Sequence, residues 1–93
     1  TSVWAPNAFT PNGDYKNDVF LVHASNITYY EIMIFNRLGN IMYHSRNILN
    51  SWDGTFEGDR VQDAVYSYVI TYRYIKEGKE EQSRKYGTVT VLH

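Results

Sequence analysis

Apolar and polar side chains alternate with a period of two through much of the chain, and no stretch shows the spacing of an amphipathic helix. In residues 28–36, Tyr30, Ile32 and Ile34 are predicted to face one side of a strand, with Tyr29, Glu31, Met33 and Phe35 on the other. Residues 65–75 give the strongest strand signal because they are almost entirely β-branched or aromatic. The pattern predicts an all-β fold.

Further strands are predicted at residues 3–9, 18–23, 41–45 and 82–92, with turn residues between them. Pro6 places the first strand at a sheet edge or a bulge, because proline has no N–H to donate. Residues 46–60 are predicted to be irregular, with Trp52 and Phe56 capping an open end of the core. About seven short strands indicate an antiparallel Ig-like β-sandwich in one domain spanning residues 1–93.

Residues 63–68 resemble the run that opens strand F of immunoglobulin-like domains. By that analogy Tyr66, Tyr68 and Ile70 point inward, and the Tyr66 hydroxyl bonds to backbone upstream. Tyr72 and Tyr74 share the same parity, so they belong either to the end of the core or to a platform for sugar rings or a partner protein.

Composition excludes several classes of function. A net charge of -1 and a pI of about 6.2 give no electrostatic reason to bind nucleic acid or an anionic membrane. The 93 residues contain no cysteine, and no apolar run approaches the roughly 20 residues of a transmembrane helix. The three histidines lie on different predicted elements, and no catalytic motif is present, so we do not expect an enzyme.

Residues 10–18 form a loop made almost wholly of turn-forming residues between two apolar strand ends. Asn12, Asp14, Asn17 and Asp18 carry the hard oxygen atoms that calcium prefers, although their spacing is not that of an EF-hand. The same side chains can instead bond to nearby backbone amides and brace the loop, with Gly13 tolerating positive φ. A calcium site and a metal-free braced loop therefore both remain open; no other cofactor is expected.

Residues 6–20, P-N-A-F-T-P-N-G-D-Y-K-N-D-V-F, resemble the opening signature of the gliding-motility-associated C-terminal domain, the type B sorting domain of the type IX secretion system. Tyr15 stands where this family usually has glycine. Residues 34–39, 52–54, 65–68 and 87–91 are similar to later motifs of the family and follow in the same order. The resemblance covers essentially the whole chain.

The resemblance implies a non-enzymatic signal domain at the C-terminus of a secreted protein. It implies recognition by secretion-machinery proteins of the periplasm and outer membrane, N-terminal passenger domains in the same parent chain, and delivery to the cell surface or extracellular space. We expect recognition to be carried by a loop and by the terminal strand. The loop residues are Phe9, Thr10, Pro11, Asn12, Gly13, Asp14, Asn17 and Asp18, and the strand residues are Gly87, Thr88, Val89, Thr90 and Val91. The alternative is a passive adhesin-type or carbohydrate-binding β-sandwich module.

Overall fold

A computed structural model describes residues 2–11 and 18–93, and within these ranges the chain contains strands and no helix. The strands are β1 (Ser2–Trp4), β2 (Ala8–Phe9), β3 (His23–Ser25), β4 (Tyr29–Phe35), β5 (Ile41–Ser45), β6 (Thr55–Phe56), β7 (Asp59–Arg60), β8 (Ala64–Lys76) and β9 (Lys79–Val91). The all-β prediction is confirmed, with nine strands in the described residues rather than about seven. The described part contains no helix that could cross a membrane.

Five strands form the main sheet, in the order β2-β9-β8-β4-β5. The strands β9, β8, β4 and β5 pair with their neighbours in antiparallel fashion, whereas β2 lies parallel to β9. The prediction of a wholly antiparallel arrangement is therefore wrong at this edge. Glu77 and Gly78 both have positive φ, which allows the tight turn between β8 and β9.

The predicted strand at residues 3–9 is two strands in the structure. β1 pairs with β3 in a separate two-stranded sheet, and β2 joins the main sheet after Pro6 has interrupted the ladder. The prediction of one strand over residues 18–23 is also wrong: Phe20 pairs there in an isolated bridge with Trp52, and His23 belongs to β3, where it pairs with Trp4. The predicted irregular region contains the short hairpin of β6 and β7.

One face of the main sheet forms the core. Alternate residues of β4, β8 and β9 point into it, as predicted for β4 and β8, and apolar residues from the connecting segments cover them. The buried set is Phe9, Phe20, Val22, Tyr30, Ile32, Ile34, Trp52, Val61, Tyr66, Tyr68, Ile70, Val89 and Val91. Trp52 belongs to this core, but Phe56 is 40% exposed and does not cap it. Burial of this apolar surface is the main stabilising contribution to the fold.

The corner before β8 has the hydrogen bond that the resemblance to strand F predicts. The Tyr66 hydroxyl donates to the carbonyl oxygen of Gln62 at 2.7 Å. Burial of the Tyr66 ring raises the pKa of its phenol, so the hydroxyl stays protonated and able to donate. The bond ties the start of β8 to the residues that precede it.

Candidate recognition site

The structure brings the start of the predicted recognition loop and the end of the predicted recognition strand together at one edge of the main sheet. The Thr90 N–H donates to the Asn7 carbonyl oxygen at 2.9 Å, and the Leu92 N–H donates to the Phe9 carbonyl oxygen at 3.1 Å. The chain passes directly from this pairing into Thr10 and Pro11. The beginning of the loop is thereby hydrogen-bonded to the end of β9.

Both ends of the loop are anchored in the core. Phe9 is 1% exposed and Phe20 is 2% exposed, with their ring centroids 6.2 Å apart. Trp52 contacts both: its ring centroid lies 5.5 Å from that of Phe9, and its backbone exchanges two hydrogen bonds with Phe20, at 2.7 and 3.0 Å. The points where the loop leaves and re-enters the core are therefore fixed by packing and by backbone pairing.

A tight turn at residues 52–55 packs against Pro11, at the start of the loop. The Trp52 Nε1–H donates to the Thr55 carbonyl oxygen at 3.0 Å, and Thr55 donates its own N–H and Oγ–H to Asp53 Oδ1 at 3.1 and 2.6 Å. Gly54 has φ of 80°, and a Cβ there would lie 3.0 Å from Pro11 Cγ. Because glycine has no side chain, Pro11 can pack directly against the turn. The sequence indicated a turn here but not its contact with the loop.

Most of the predicted calcium ligands lie outside the described residues. Asn12, Asp14 and Asn17, together with Gly13, lie outside the described residues, whereas Asp18 is described and half-buried. In residues 2–11 and 18–93, no cluster of three or more histidine or acidic side chains is suited to a metal ion. The calcium site stays a prediction.

The terminal strand offers few side chains to a partner. Val89 and Val91 are fully enclosed in the core, whereas Thr88 is exposed and Thr90 is half-buried. A partner that binds this strand would therefore contact Thr88 or the backbone rather than the two valines. The valines hold the strand in place.

Gly87 has a packing reason to be glycine. It lies opposite Tyr68 in the β8–β9 ladder, and the Tyr68 ring folds over it. A Cβ at position 87 would overlap the Tyr68 hydroxyl and would lie 2.9 Å from Cε2 of the ring. Burial of this ring also raises the pKa of the Tyr68 phenol.

The opposite face of the main sheet is an open groove of about 600 Å³ that was not predicted. Its floor includes Met33, Phe35 and Val69. At one end the Arg73 guanidinium lies over the Tyr29 ring, 4.5 Å from its centroid. The cross-strand register that brings these residues together cannot be read from any single strand.

Glu31 is the central acidic group of this face. Its Oε2 lies 2.7 Å from His44 Nε2 and 3.2 Å from Arg46 Nε. The hydrogen bond with His44 and the charge of Arg46 hold the pKa of the Glu31 carboxyl below its usual value. The tyrosines predicted as an alternative sugar platform lie elsewhere, on the inner side of the sheet: the rings of Tyr72 and Tyr74 have centroids 6.0 Å apart and are half-buried.

The fold and the site define a small β domain in which Phe9 and Phe20, the residues that flank the predicted loop, are anchored in the core beside a terminal strand. The family model of the CHU_C type IX secretion signal domain matches residues 3–91 of this chain. The chain belongs to this family, which confirms the resemblance found in its motifs. Comparisons with curated proteins and with solved structures found no match.

Proposed function

We propose that this chain is a non-enzymatic sorting signal that directs a passenger protein to the type IX secretion system, for export across the outer membrane and display at the cell surface. The observation that carries the proposal is the family match over residues 3–91. The partners are secretion-machinery proteins of the periplasm and outer membrane, and the passenger precedes this domain in the parent chain. The destination is the cell surface or the extracellular space.

The anchored loop supports a role in recognition. A machinery that accepts many passengers needs a feature whose shape does not depend on the passenger, and a loop fixed at both ends by a rigid scaffold supplies one. Phe9, Phe20 and Trp52 provide that scaffold here. We propose that residues 10–18, together with Thr88 and the backbone of the adjoining strand at residues 87–91, form the recognition surface, with Phe9, Val89 and Val91 holding it from the core.

We also propose that the main sheet and its covering segments form an Ig-like sandwich. The hydrogen bond from Tyr66 to the Gln62 carbonyl supports this arrangement, because a tyrosine corner at the start of strand F is typical of immunoglobulin-like domains. The residues that cover the main sheet include Val3 of β1, which pairs with β3, and apolar residues of the irregular segments.

The proposal is tested by fusing a reporter to the N-terminus of this chain and measuring reporter export in a host with a type IX system. We expect the fusion to be exported and the reporter alone to be retained. Equal export of the two proteins would refute the sorting role.

The recognition loop is tested in the same fusion by the triple substitution Asn12→Ala, Gly13→Ala and Asp14→Ala. A matched control replaces Asp59, Arg60 and Gln62 by alanine, because these residues are exposed on the β6–β7 side of the domain. We expect the loop variant to lose export while its thermal unfolding temperature shows that it is folded, and the control to be exported normally. Unchanged export of the folded loop variant would exclude these three residues from recognition.

A further inference from the structure

Among residues 2–11 and 18–93, most of the outer edge of β9 has no strand paired with it. β8 pairs with β9 along the whole strand, from the Ala64–Val91 pair to the Lys76–Lys79 pair, without a register shift. On the other side, β2 covers only Thr90 and Val91. Within the described part of the chain, β9 contacts no strand other than these two. An open edge of this kind is a template for pairing with another strand.

The hydrogen-bonding direction of this edge follows from the bonds to β2. Thr90 and Leu92 direct their N–H groups outward, to Asn7 and Phe9. Because the ladder is regular and alternate residues point to opposite sides, the even-numbered residues from 80 to 88 also direct their N–H and C=O groups outward. The odd-numbered residues of β9 bond to β8.

We propose that this edge pairs with the same edge of a second copy of the chain, antiparallel, about a twofold axis through Ser83. The pairing would join the two main sheets into one continuous sheet. An interface of this type is self-complementary, as the commonest homodimer symmetry requires. The proposal does not depend on the sorting role.

The order of the charged residues along the outer edge of β9 indicates where the twofold axis lies. Glu80 and Glu81 precede Ser83, and Arg84 and Lys85 follow it. With the axis at Ser83, each Glu81 lies opposite the Lys85 of the other copy, so the interface contains two pairs of opposite charge. Both residues are available for such pairing, since the ion pairs among the described residues include neither of them.

Neighbouring axes are less favourable. An axis at Gln82 places Lys79 opposite Lys85, and an axis at Glu81 or Arg84 places that charged residue opposite its own copy. Like charges directly opposite each other destabilise a strand pair. Of the axes at residues 81–84, the one at Ser83 alone opposes unlike charges without opposing like charges.

The backbone geometry agrees with the same axis. Since the even-numbered residues point outward, Gln82 and Arg84 would form hydrogen-bonded pairs, and Ser83 would face its own copy in a non-hydrogen-bonded pair. The pairs formed by Glu81 and Lys85 would also be non-hydrogen-bonded, the type in which opposing side chains lie closest. The favourable charges therefore meet at the shortest cross-strand separation.

Cysteine cross-linking tests the axis directly, because the natural chain has no cysteine. In Ser83→Cys the two cysteines would face each other with Cα atoms about 4.5 Å apart, a separation that allows a disulfide bond. In the matched control Lys79→Cys, which leaves the proposed ion pairs intact, the two cysteines would be eight residues out of register, or about 26 Å apart. Gln82→Cys tests the neighbouring axis, because a twofold axis at residue 82 would place its two cysteines opposite each other.

We expect Ser83→Cys to form a covalent dimer under mild oxidation at least about tenfold faster than either of the other two variants. Equal rates at the three positions would show random collision and overturn the proposal. Faster cross-linking of Gln82→Cys would overturn the axis. Sedimentation velocity of the unmodified chain must also show a dimer at high concentration; a monomer at every concentration tested would refute the proposal.

A charge exchange tests the proposed ion pairs. Glu81→Lys or Lys85→Glu alone would place like charges opposite each other twice, and we expect the dimer dissociation constant to rise at least about tenfold. The double variant restores both opposite pairs and should return the constant to within about threefold of the natural value. Asp59→Lys is the control for Glu81→Lys, since it makes the same charge change away from β9. Single variants without effect, or a double variant as weak as the singles, would contradict the proposed pairing.

Discussion

Gly87→Ala is a small substitution that we expect to destabilise the domain substantially. The new Cβ would overlap the hydroxyl and ring of Tyr68, its partner across the β8–β9 ladder. The Tyr68 ring cannot move away freely, because it is 7% exposed and its centroid lies 5.6 Å from that of Phe20. The substitution therefore overpacks the core at a position where only hydrogen fits.

The magnitude follows from the cost of overpacking. Forcing an extra methyl group into a packed core costs typically 1–3 kcal/mol. Alanine in place of glycine in a strand regains about 0.5–1 kcal/mol of backbone entropy, so we expect a net loss of roughly 0.5–2 kcal/mol. For a domain of this size, each kcal/mol corresponds to about 4–8 °C in the unfolding temperature.

Urea unfolding of a double-mutant cycle measures this effect and its cause. In a Tyr68→Leu background the aromatic ring and its hydroxyl are absent, so Gly87→Ala should become neutral or stabilising, by up to about 1 kcal/mol. Thr88→Ala is the control because Thr88 is the exposed neighbour in the same strand. A Gly87→Ala variant as stable as the natural chain, or a loss of stability that is the same in both backgrounds, would contradict the clash with Tyr68.

Two further predictions concern single side chains. Tyr66→Phe removes the hydrogen bond to the Gln62 carbonyl, and we expect the free energy of unfolding to fall by about 0.5–1.5 kcal/mol in urea titrations; an unchanged value would show that this bond contributes nothing. The pKa of the Glu31 carboxyl is lowered in the folded state, chiefly by its hydrogen bond with His44. The ionised carboxylate therefore stabilises the fold at pH values above its unfolded pKa of about 4.3, and this stabilisation is lost as pH falls through its folded pKa. We therefore expect the stability difference between the natural chain and Glu31→Gln to shrink as pH falls below about 5, and a difference independent of pH would contradict the assignment.

The long strands could be predicted because their signal is local. The alternation at Tyr30, Ile32 and Ile34 and the aromatic run of β8 define which side chains are buried, and the structure agrees. β2 could not be predicted as a separate strand. It has two residues, too few to show a period, and its parallel partner lies at the other end of the chain.

The residues that flank the candidate recognition loop could be predicted from the sequence, but the contacts that support the loop could not. Phe9 and Phe20 are apolar residues on either side of a polar loop, which identifies them as anchors. The contact of Pro11 with Gly54 joins segments that are distant in sequence, so neither residue signals it locally. Gly87 was recognised only as part of a motif, because its role depends on the Tyr68 ring of the neighbouring strand.

The sorting role is tested most directly by export of a reporter that carries this chain at its C-terminus, compared between a host with a working type IX system and the same host with that system deleted. Surface-exposed reporter is measured by protease accessibility on intact cells, and total reporter by immunoblot. We expect surface reporter in the first host and retention in the second, with equal total amounts in the two. Equal surface exposure of the reporter in both hosts would contradict the sorting role.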